Sequence, residues 1–257
     1  MKPIVIKIGG STLGNHDTTL EDLVELQKQG KSTVVVHGGA QEVSSWLSKL
    51  SIPTSFVKGL RITDAETLKV VAAILGGLVN KELVVAIQAL GGKAMGLSGC
   101  DGNLLWATIK SPELGYAGEV VAVDPAPLRL LLGAGYMPVV APISFGSVGD
   151  RTMLLNVNGD AAAGEIAATL TAERLIFLTD VEGIYSDSGK VISRLNIPEA
   201  KALLNSEIAS GGMIPKIKAS LKALTTVTMV RIIDGRMPHA LLKEIENGTG
   251  GTTVVSE

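Results

Sequence analysis

The sequence predicts an α/β protein in which helices cover both faces of one mostly parallel sheet. Short, continuous runs of apolar, largely β-branched residues alternate along the chain with segments whose apolar residues recur at helical spacing. Strands buried on both faces have such continuous runs, and the alternation favours right-handed βαβ units. The chain has 257 residues, 46% of them hydrophobic, and is therefore long enough to bury a large core.

The strands and helices of this pattern can be placed along the chain. Five buried strands are predicted, at residues 4–8, 33–36, 138–140, 175–178 and 227–233. An apolar stripe over residues 20–26 predicts a helix that ends at Gly30. Thr63 and Glu66 have the spacing of a capping box, which predicts that a helix begins there and that its pattern continues through residues 68–90. A further helix is predicted at residues 161–170.

Residues 130–149 form an uncharged stretch with the length of a membrane span. Pro138, Pro142 and four glycines interrupt this stretch and predict a helix end, a turn and a strand instead. The N-terminal sequence leads directly into the first strand, which predicts no signal peptide. The net charge is −2 with no basic cluster, so we expect no nucleic-acid or membrane partner and a soluble, cytoplasmic protein.

Cysteine and histidine content limits the possible chemistry. Cys100 is the single cysteine, so no disulfide can form within the chain, and the three histidines are far apart in sequence. This excludes zinc-ligand spacing, and no dedicated metal site is predicted. Because no linker, repeat or charge run divides the chain, residues 1–257 are interpreted as one domain with two lobes, 1–172 and 173–257.

Pairs of glycines follow the predicted strands, where ligands of parallel sheets collect. They occur in Ile8-Gly9-Gly10-Ser11 and His37-Gly38-Gly39-Ala40, and a third pair, Gly211-Gly212, precedes Met213-Ile214-Pro215-Lys216. Glycine allows backbone N–H groups to approach an anion closely, but a simple tight turn is the favoured interpretation of any single pair. The chain has neither a P-loop nor a dinucleotide-binding fingerprint, so any phosphate is bound by another arrangement.

Charged residues next to these turns are the candidate catalytic groups. Lys7 lies in a predicted buried strand and needs an anionic partner, either a carboxylate or a ligand phosphate, unless it belongs to an edge strand. Lys216 opposes the dipole of the helix that it opens, but a solvent-facing lysine is also possible. Asp160 precedes an Ala-rich helix and is also compatible with a simple N-terminal cap. Two lysines and an aspartate at glycine turns have the charges that phosphoryl transfer needs, and a carboxylate acceptor would need no general base.

Three further segments have open interpretations. Arg61 is either a surface residue or a bidentate ligand for a carboxylate, and His37 is either a ligand contact at its turn or a structural histidine. Residues 179–185 are either an ordinary strand exit or the wall of a nucleotide pocket.

The motifs taken together resemble the amino-acid kinase family, and within it the N-acetylglutamate kinases, over nearly the entire chain. The resemblance is carried by KIGGS at residues 7–11, VHGG at 36–39, GLRITD at 59–64, GGLVNK at 76–81, GLSG at 96–99, DG at 101–102, GYMPVV at 135–140, NVNGD at 156–160 and GGMIPK at 211–216. It implies an open, three-layer αβα sandwich whose N-terminal lobe holds the acyl acceptor and whose C-terminal lobe holds ATP.

The resemblance also implies an activity and its residues. The expected reaction is ATP-dependent phosphorylation of the γ-carboxylate of N-acetyl-L-glutamate in arginine biosynthesis, with Mg²⁺ entering with the nucleotide. Lys7 and Lys216 would stabilise the transferring phosphoryl group, and Asp160 would orient both lysines. The substrate would be held by Gly38, Gly39, Arg61 and Asn156. The nucleotide would be bound by Gly9, Gly10, Thr179, Asp180, Val181, Gly183, Ile184, Tyr185, Ser210, Gly211 and Gly212.

The chain departs from the family pattern at small residues, with Ala40 where a third glycine is frequent and Gly159 where alanine is usual. Nothing precedes the first strand, where arginine-inhibited hexameric members have a helix, so we expect an arginine-insensitive homodimer with residues 64–90 at the subunit contact. Two alternatives stay open: a kinase acting on carrier-protein-linked aminoadipate or glutamate, and a non-catalytic amino-acid-sensing module. The first would need a basic rim near the acceptor pocket, and the second would be expected to lose one of the three charged residues.

Overall fold

The computed structural model describes residues 2–9, 18–57, 59–206, 211–248 and 250–257. Within these ranges it contains fourteen strands and nine α-helices. The strands are β1 (Ile4–Ile8), β2 (Thr33–His37), β3 (Phe56–Val57), β4 (Leu60–Arg61), β5 (Ala94–Ser98), β6 (Leu105–Ile109), β7 (Ala117–Val123), β8 (Met137–Ala141), β9 (Ile143–Val148), β10 (Arg151–Val157), β11 (Arg174–Thr179), β12 (Arg194–Leu195), β13 (Met229–Asp234) and β14 (Thr252–Val255). The helices are α1 (Thr19–Lys28), α2 (Ala40–Lys49), α3 (Ala65–Ala72), α4 (Asn80–Ala89), α5 (Ala126–Gly133), α6 (Gly159–Leu170), α7 (Ile197–Leu204), α8 (Met213–Ala223) and α9 (Ala240–Asn247).

The main sheet has eight strands in the order β12-β14-β13-β11-β1-β2-β8-β5, all parallel to their neighbours except at the β13–β14 pair. This confirms the predicted sheet, and each of the five predicted strands lies in it. Strand β1 is central because it pairs with β2 on one side and with β11 on the other. A single sheet therefore connects the N-terminal half of the chain to the C-terminal half.

Alternation of side chains along β1 assigns its residues to two separate cores. Ile4, Ile6 and Ile8 pack in the core under α1, α2, α3 and α4, whereas Val5 packs in the opposite core with α6 and α8. Lys7 points to the same side as Val5 because successive strand residues face opposite sides. The α/β sandwich with two helical layers is thus confirmed, and it aims Lys7 at the layer that contains α6 and α8.

The prediction that strand and helix alternate along the whole chain is wrong for residues 105–123 and 143–157. There β6, β7, β9 and β10 form a small closed barrel with two antiparallel pairs, β6–β7 and β9–β10, and two parallel pairs, β7–β10 and β6–β9. Two glycines allow its strands to approach closely, since a Cβ at Gly146 would overlap the carbonyl of Ala107 and one at Gly118 would lie 3.0 Å from Leu155 Cβ. The uncharged stretch 130–149 is divided among α5, β8 and β9, as predicted.

The helix predicted after Thr63 begins one residue later than the capping box implied. Asp64 is its N-cap, with a side chain that accepts the Thr67 N–H at 2.8 Å. Thr63 is buried, its backbone forms a bridge with Gly115, and its hydroxyl donates to the Arg61 carbonyl at 3.1 Å rather than capping the helix, so the capping-box prediction is wrong. Aspartate caps a helix as effectively as threonine, which is why the pattern gave the right element and the wrong residue.

Helices α3 and α4 are joined by a π-helical segment, Ala73–Val79, into one helical run of 25 residues, Ala65–Ala89. By length and composition this run could cross a membrane. The buried side of this run packs in the core through Val71, Leu75, Leu83 and other apolar residues. The hydrophobicity of the run is therefore explained by its packing as a core helix.

Candidate active site

A cavity of about 580 Å³ opens at the carboxyl ends of the central strands. Nine of the predicted site residues line it: Lys7, Gly9, Gly38, Gly39, Arg61, Asn156, Asp160, Asp180 and Lys216. These residues come from segments that are more than two hundred positions apart in sequence, and the parallel sheet brings them together because its strands end at one edge.

Asp160 joins the two predicted lysines. Its Oδ1 lies 2.8 Å from Lys7 Nζ, and its Oδ2 lies 3.2 Å from Lys216 Nζ. Asp160 is in the first turn of α6, while the cap of that helix is Asn158, whose side chain accepts the Asp160 and Ala161 N–H groups. The interpretation of Asp160 as a simple N-cap is therefore excluded, and Lys7 and Lys216 are neither edge nor solvent-facing lysines.

Close packing of α6 and α8 sets the distance between Asp160 and Lys216. A Cβ at Gly164 in α6 would lie 2.7 Å from the Ala219 carbonyl oxygen in α8, so the glycine permits this approach. Pro215, in the first turn of α8, suits a position where a backbone N–H has no helical partner. Lys216 follows it and reaches back toward Asp160, where the carboxylate compensates the unfavourable position of a cation at a helix N-terminus.

The three charges share a largely buried environment, with Lys7 8% and Asp160 4% exposed. Burial by itself disfavours the Asp160 carboxylate, but the adjacent Lys7 and Lys216 charges outweigh it and hold the pKa of Asp160 below its usual value. Asp160 is therefore ionised at neutral pH, and the cluster carries two positive charges and one negative charge.

The second glycine turn is supported from behind by His37. Gly38 N–H donates to the Ile8 carbonyl at 2.9 Å, and Gly39, at φ 146°, begins the turn into α2. His37 is fully buried, with Nδ1 2.7 Å from the Gly38 carbonyl oxygen. Burial lowers the pKa of His37 to about 4, and the nearby Lys7 and Lys81 charges act in the same direction. His37 does not line the cavity, so it is a structural histidine rather than a ligand contact.

Arg61 lines the cavity and is 8% exposed. Its guanidinium donates to the Thr54 hydroxyl, to the Ala40 carbonyl at 3.0 Å and to Ser44 Oγ at 2.8 Å, and it stacks on the Phe56 ring at 4.6 Å. Within the described ranges it has no acidic partner. Burial lowers its pKa, as expected of a cation that lacks a counter-ion. A buried, unpaired guanidinium beside a cavity favours a ligand carboxylate.

Asn156, the last residue but one of β10, also lines the cavity, and its amide orientation is fixed by Thr63. Asn156 Nδ2 donates to Thr63 Oγ1 at 3.0 Å, and that hydroxyl donates to the Arg61 carbonyl at 3.1 Å. Because Nδ2 is held by Thr63, Oδ1 is the side-chain atom of Asn156 that remains to accept a further hydrogen bond. Sequence reasoning missed this role of Thr63, because the residue matched a helix-capping pattern.

The residues predicted for the nucleotide are only partly brought into the cavity. Asp180 lines it, whereas Thr179 donates to the Ile233 and Val181 carbonyls, and Gly183 and Ile184 are buried against Thr252. Tyr185 is 38% exposed beside them. Gly10 and Ser210 lie outside the described residues. Gly211 is close to Gly59 in the β3–β4 turn across the cleft, and Gly212 accepts a hydrogen bond from Lys216 Nζ at 3.3 Å.

Charged side chains at the rim of the cavity are mostly paired. Lys110 contacts Glu119 at 3.0 Å, and Lys222 contacts Glu165 at 3.1 Å. Six basic and four acidic side chains line the cavity as a whole, so it is electropositive. In the part of the chain that the structure describes, no group of three or more His, Cys, Asp or Glu residues could hold a metal ion.

An open, mostly parallel sheet with its site at the strand ends places the chain among the α/β enzymes. The profile of the amino acid kinase family matches residues 2–234, and the chain belongs to this family. The family and the fold predicted from the sequence are thereby confirmed.

Three individual proteins are similar to this chain over nearly its whole length. The chain is 47% identical over 258 residues to the acetylglutamate kinase of Dehalococcoides mccartyi (strain CBDB1), covering 99% of this chain and 94% of that protein. The structure of smu.665 from Streptococcus mutans UA159 superposes with a TM-score of 0.85 at 26% identity, covering 99% and 98% of the two chains. N-acetylglutamate synthase from Neisseria gonorrhoeae, complexed with coenzyme A and N-acetyl-glutamate, superposes with a TM-score of 0.84 at 26% identity, covering all of this chain and 60% of that one.

Proposed function

We propose that this enzyme transfers the γ-phosphoryl group of ATP to the γ-carboxylate of N-acetyl-L-glutamate, giving N-acetyl-L-glutamyl 5-phosphate and ADP in the second step of arginine biosynthesis. The observation that carries the proposal is the buried Lys7–Asp160–Lys216 cluster at the edge of the cavity. Acetylglutamate kinases that are 44–47% identical over nearly the whole chain support the choice of acceptor.

The charge pattern of the cavity suits two anionic reactants. A carboxylate is ionised at neutral pH and needs no base, but it is repelled by the phosphate oxygens. Lys7 and Lys216 approach from a strand and from a helix and offset this repulsion, most strongly when charge spreads over the transferring group. Asp160 holds both ammonium groups in place before the substrates bind, so little reorganisation is needed.

The acceptor would be recognised by Arg61 and Asn156, which line the cavity and keep hydrogen-bonding atoms free for a ligand. The unpaired Arg61 guanidinium would bind the α-carboxylate, and Asn156 Oδ1 would accept the N–H of the acetylated amine. Gly38 and Gly39 would contact the γ-carboxylate that is phosphorylated. A free α-ammonium is disfavoured in a cavity with six basic and four acidic side chains, which supports an N-acylated acceptor.

MgATP is the second substrate. Of the cavity carboxylates, Asp160, Glu119 and Glu165 are paired with lysines, and within the described residues Asp180 is the one without a salt bridge. Asp180 could therefore hold Mg²⁺ together with the phosphates and water, which fits an ion that enters with the nucleotide. The ion would neutralise phosphate charge, while the lysines act on the transferring group itself.

In the transfer step, a γ-carboxylate oxygen forms a bond to the γ-phosphorus as the bond to the β,γ-bridging oxygen breaks. The electron pair of the broken bond stays on ADP, and no proton needs to move. The protein aligns the attacking carboxylate oxygen, the γ-phosphorus and the bridging oxygen, and it stabilises the negative charge of the transferring group.

ADP release tests the reaction and its acceptor together. We expect strong stimulation by N-acetyl-L-glutamate, and an acyl phosphate that hydroxylamine traps as a hydroxamate, with no stimulation by L-glutamate or UMP. ATP binding without stimulation by N-acetyl-L-glutamate would refute the proposed acceptor and favour a carrier-linked one. A chain that does not bind ATP would favour a sensing module.

Lys216→Ala tests the mechanism. Loss of one preorganised cation should lower kcat by about 10²–10³-fold. Lys201→Ala is the matched control, because this exposed lysine on α7 of the same lobe does not line the cavity. Equal rates for the two variants would show that Lys216 has no catalytic role.

We also propose a homodimer that uses the face formed by α4 and β5. Strand β5 is at the edge of the main sheet, and Val85, Leu90 and Met95 are 63%, 41% and 42% exposed. An edge strand beside exposed apolar residues is a surface that needs a partner. Light scattering should give a dimer mass, and Val85→Glu should shift it toward the monomer; a monomeric native chain would refute the proposal.

A further inference from the structure

We propose that His37 and Asn80 are positioning residues that hold the Gly38–Gly39 peptide with its N–H group toward the cavity. The inference rests on the proposed function, because it explains how one N–H donor of that site is oriented. Neither side chain touches the cavity, and each is fully buried. They form a relay of hydrogen bonds between α4 and the glycine turn.

The relay fixes the tautomer of the imidazole. His37 Nδ1 lies 2.7 Å from the Gly38 carbonyl oxygen, which can only accept, so Nδ1 carries the proton. Nε2 then accepts from Asn80 Nδ2 at 3.2 Å. The orientation of the Asn80 amide is itself determined, since Nδ2 also donates to the Val139 carbonyl at 2.9 Å and Oδ1 accepts from Lys81 Nζ at 2.9 Å.

The relay also sets the orientation of the peptide. In a trans peptide the C=O and N–H groups point in opposite directions. Because the Gly38 carbonyl is drawn to the buried imidazole, the Gly39 N–H points away from it, on the side where Gly39 lines the cavity. Among the residues that the structure describes, no acceptor pairs with this N–H. It is therefore a donor available to an anion.

The peptide between Gly38 and Gly39 needs an external hydrogen bond to fix its orientation. Neither Gly38 nor Gly39 has a side chain that would resist a flip of the peptide between them. The flipped peptide would present the Gly38 carbonyl to the γ-carboxylate or to the transferring phosphoryl group, and so replace attraction by repulsion. The hydrogen bond from His37 selects the orientation that binds anions.

The residues around Asn80 leave room for its side chain and fix its position. A Cβ at Gly96 would overlap Asn80 Oδ1, so only glycine leaves room for the amide. Asn80 begins α4 directly after the π-helical segment, and Leu75 of that segment lies where a Cβ at Gly39 would contact it at 2.7 Å. π-Helical segments are frequent at functional sites. Here the segment positions Asn80 at one end of the relay and contacts Gly39 at the other end through Leu75.

Substitutions at His37 separate positioning from simple packing. His37→Leu removes the donor, and we expect a fall in kcat of about tenfold to a hundredfold with an unchanged KM for ATP. His37→Asn places an amide N–H near the position of Nδ1 and should recover most of that loss. Val35→Ala is the matched control, since it perturbs the same strand and the same core face without contacting Gly38. It should lower the thermal midpoint and leave kcat unchanged.

Ring-nitrogen NMR of uniformly labelled native protein tests the relay without any acceptor. We expect a protonated Nδ1 and an unprotonated Nε2 for His37 at pH 6–8, and a mixture of tautomers in Asn80→Leu. An Nε2–H tautomer in the native protein would overturn the proposal even if the His37 variants do not fold. Equal loss of kcat in folded His37→Asn and His37→Leu, or no loss in either, would also overturn it. A native chain that does not phosphorylate N-acetyl-L-glutamate would instead refute the proposed function, and the spectrum would still decide the relay.

Discussion

Asp160→Asn is the substitution whose consequences the structure defines most fully. Asparagine keeps the shape of the side chain and removes its charge, leaving Lys7 and Lys216 without a counter-ion. At separations of 2.8 and 3.2 Å the two attractions amount to about 6 and 5 kcal/mol for an effective dielectric constant of 20. Dehydration of a buried carboxylate opposes them by several kcal/mol, so we expect a net loss of about 3–5 kcal/mol on removing it.

Thermal unfolding measures this loss. For a chain of this size, about 3–5 kcal/mol corresponds to a decrease of about 6–20 °C in Tm. Inorganic phosphate or ATP should raise the Tm of Asp160→Asn more than that of the native protein, because an anion replaces the missing charge. The variant should also lose most of its kinase activity, since the two lysines are no longer oriented.

The stabilisation of the folded protein by Asp160 depends on pH in a defined direction. The pKa of Asp160 is lowered in the folded protein, so its stabilisation is fully present above the unfolded value of 3.8 and is lost as the pH falls through the lower folded value. The Tm difference between native protein and variant should therefore be constant from about pH 5 to pH 8 and shrink in stronger acid. A variant as stable as the native protein, or a difference that varies between pH 5 and pH 8, would refute this reasoning.

Three further substitutions test other parts of the molecule. Thr63→Val removes the hydroxyl that orients Asn156, and should raise KM for N-acetyl-L-glutamate by about fivefold to tenfold with no change in KM for ATP, whereas Thr63→Ser should be near native in steady-state kinetics. Gly39→Ala meets both a positive φ of 146° and a side chain of the π-helical segment, and should cost about 1–3 kcal/mol in denaturant unfolding and lower kcat; a stable, fully active variant would contradict the described turn. Glu244→Ala leaves the buried Arg231 without its ion pair at 2.8 Å and should cost about 3–5 kcal/mol in the same assay, while kcat at 25 °C stays unchanged because neither residue lines the cavity.

Lys7 and Arg61 show how far sequence reasoning could go at the site. A lysine in a buried strand requires an anion, and the structure supplies Asp160, which the sequence had named as a candidate without a contact. Arg61 was open between a surface residue and a carboxylate ligand. Its burial against Phe56 and its lack of an acidic partner in the described ranges depend on a hairpin folding over α2, which the local sequence does not specify.

The sequence by itself determined the alternation of strands and helices, the central strands and the family, because apolar periodicity and glycine spacing are local properties of the chain. It did not determine the small barrel of residues 105–123 and 143–157, since the parallel pairs β6–β9 and β7–β10 that close it join strands that are distant in sequence. Tertiary structure alone decided that Thr63 orients Asn156 instead of capping a helix, and that Asn80 holds His37 across 43 positions. Hydrogen bonds between residues so far apart form only when packing has fixed both partners, so the function of such residues is set by the fold.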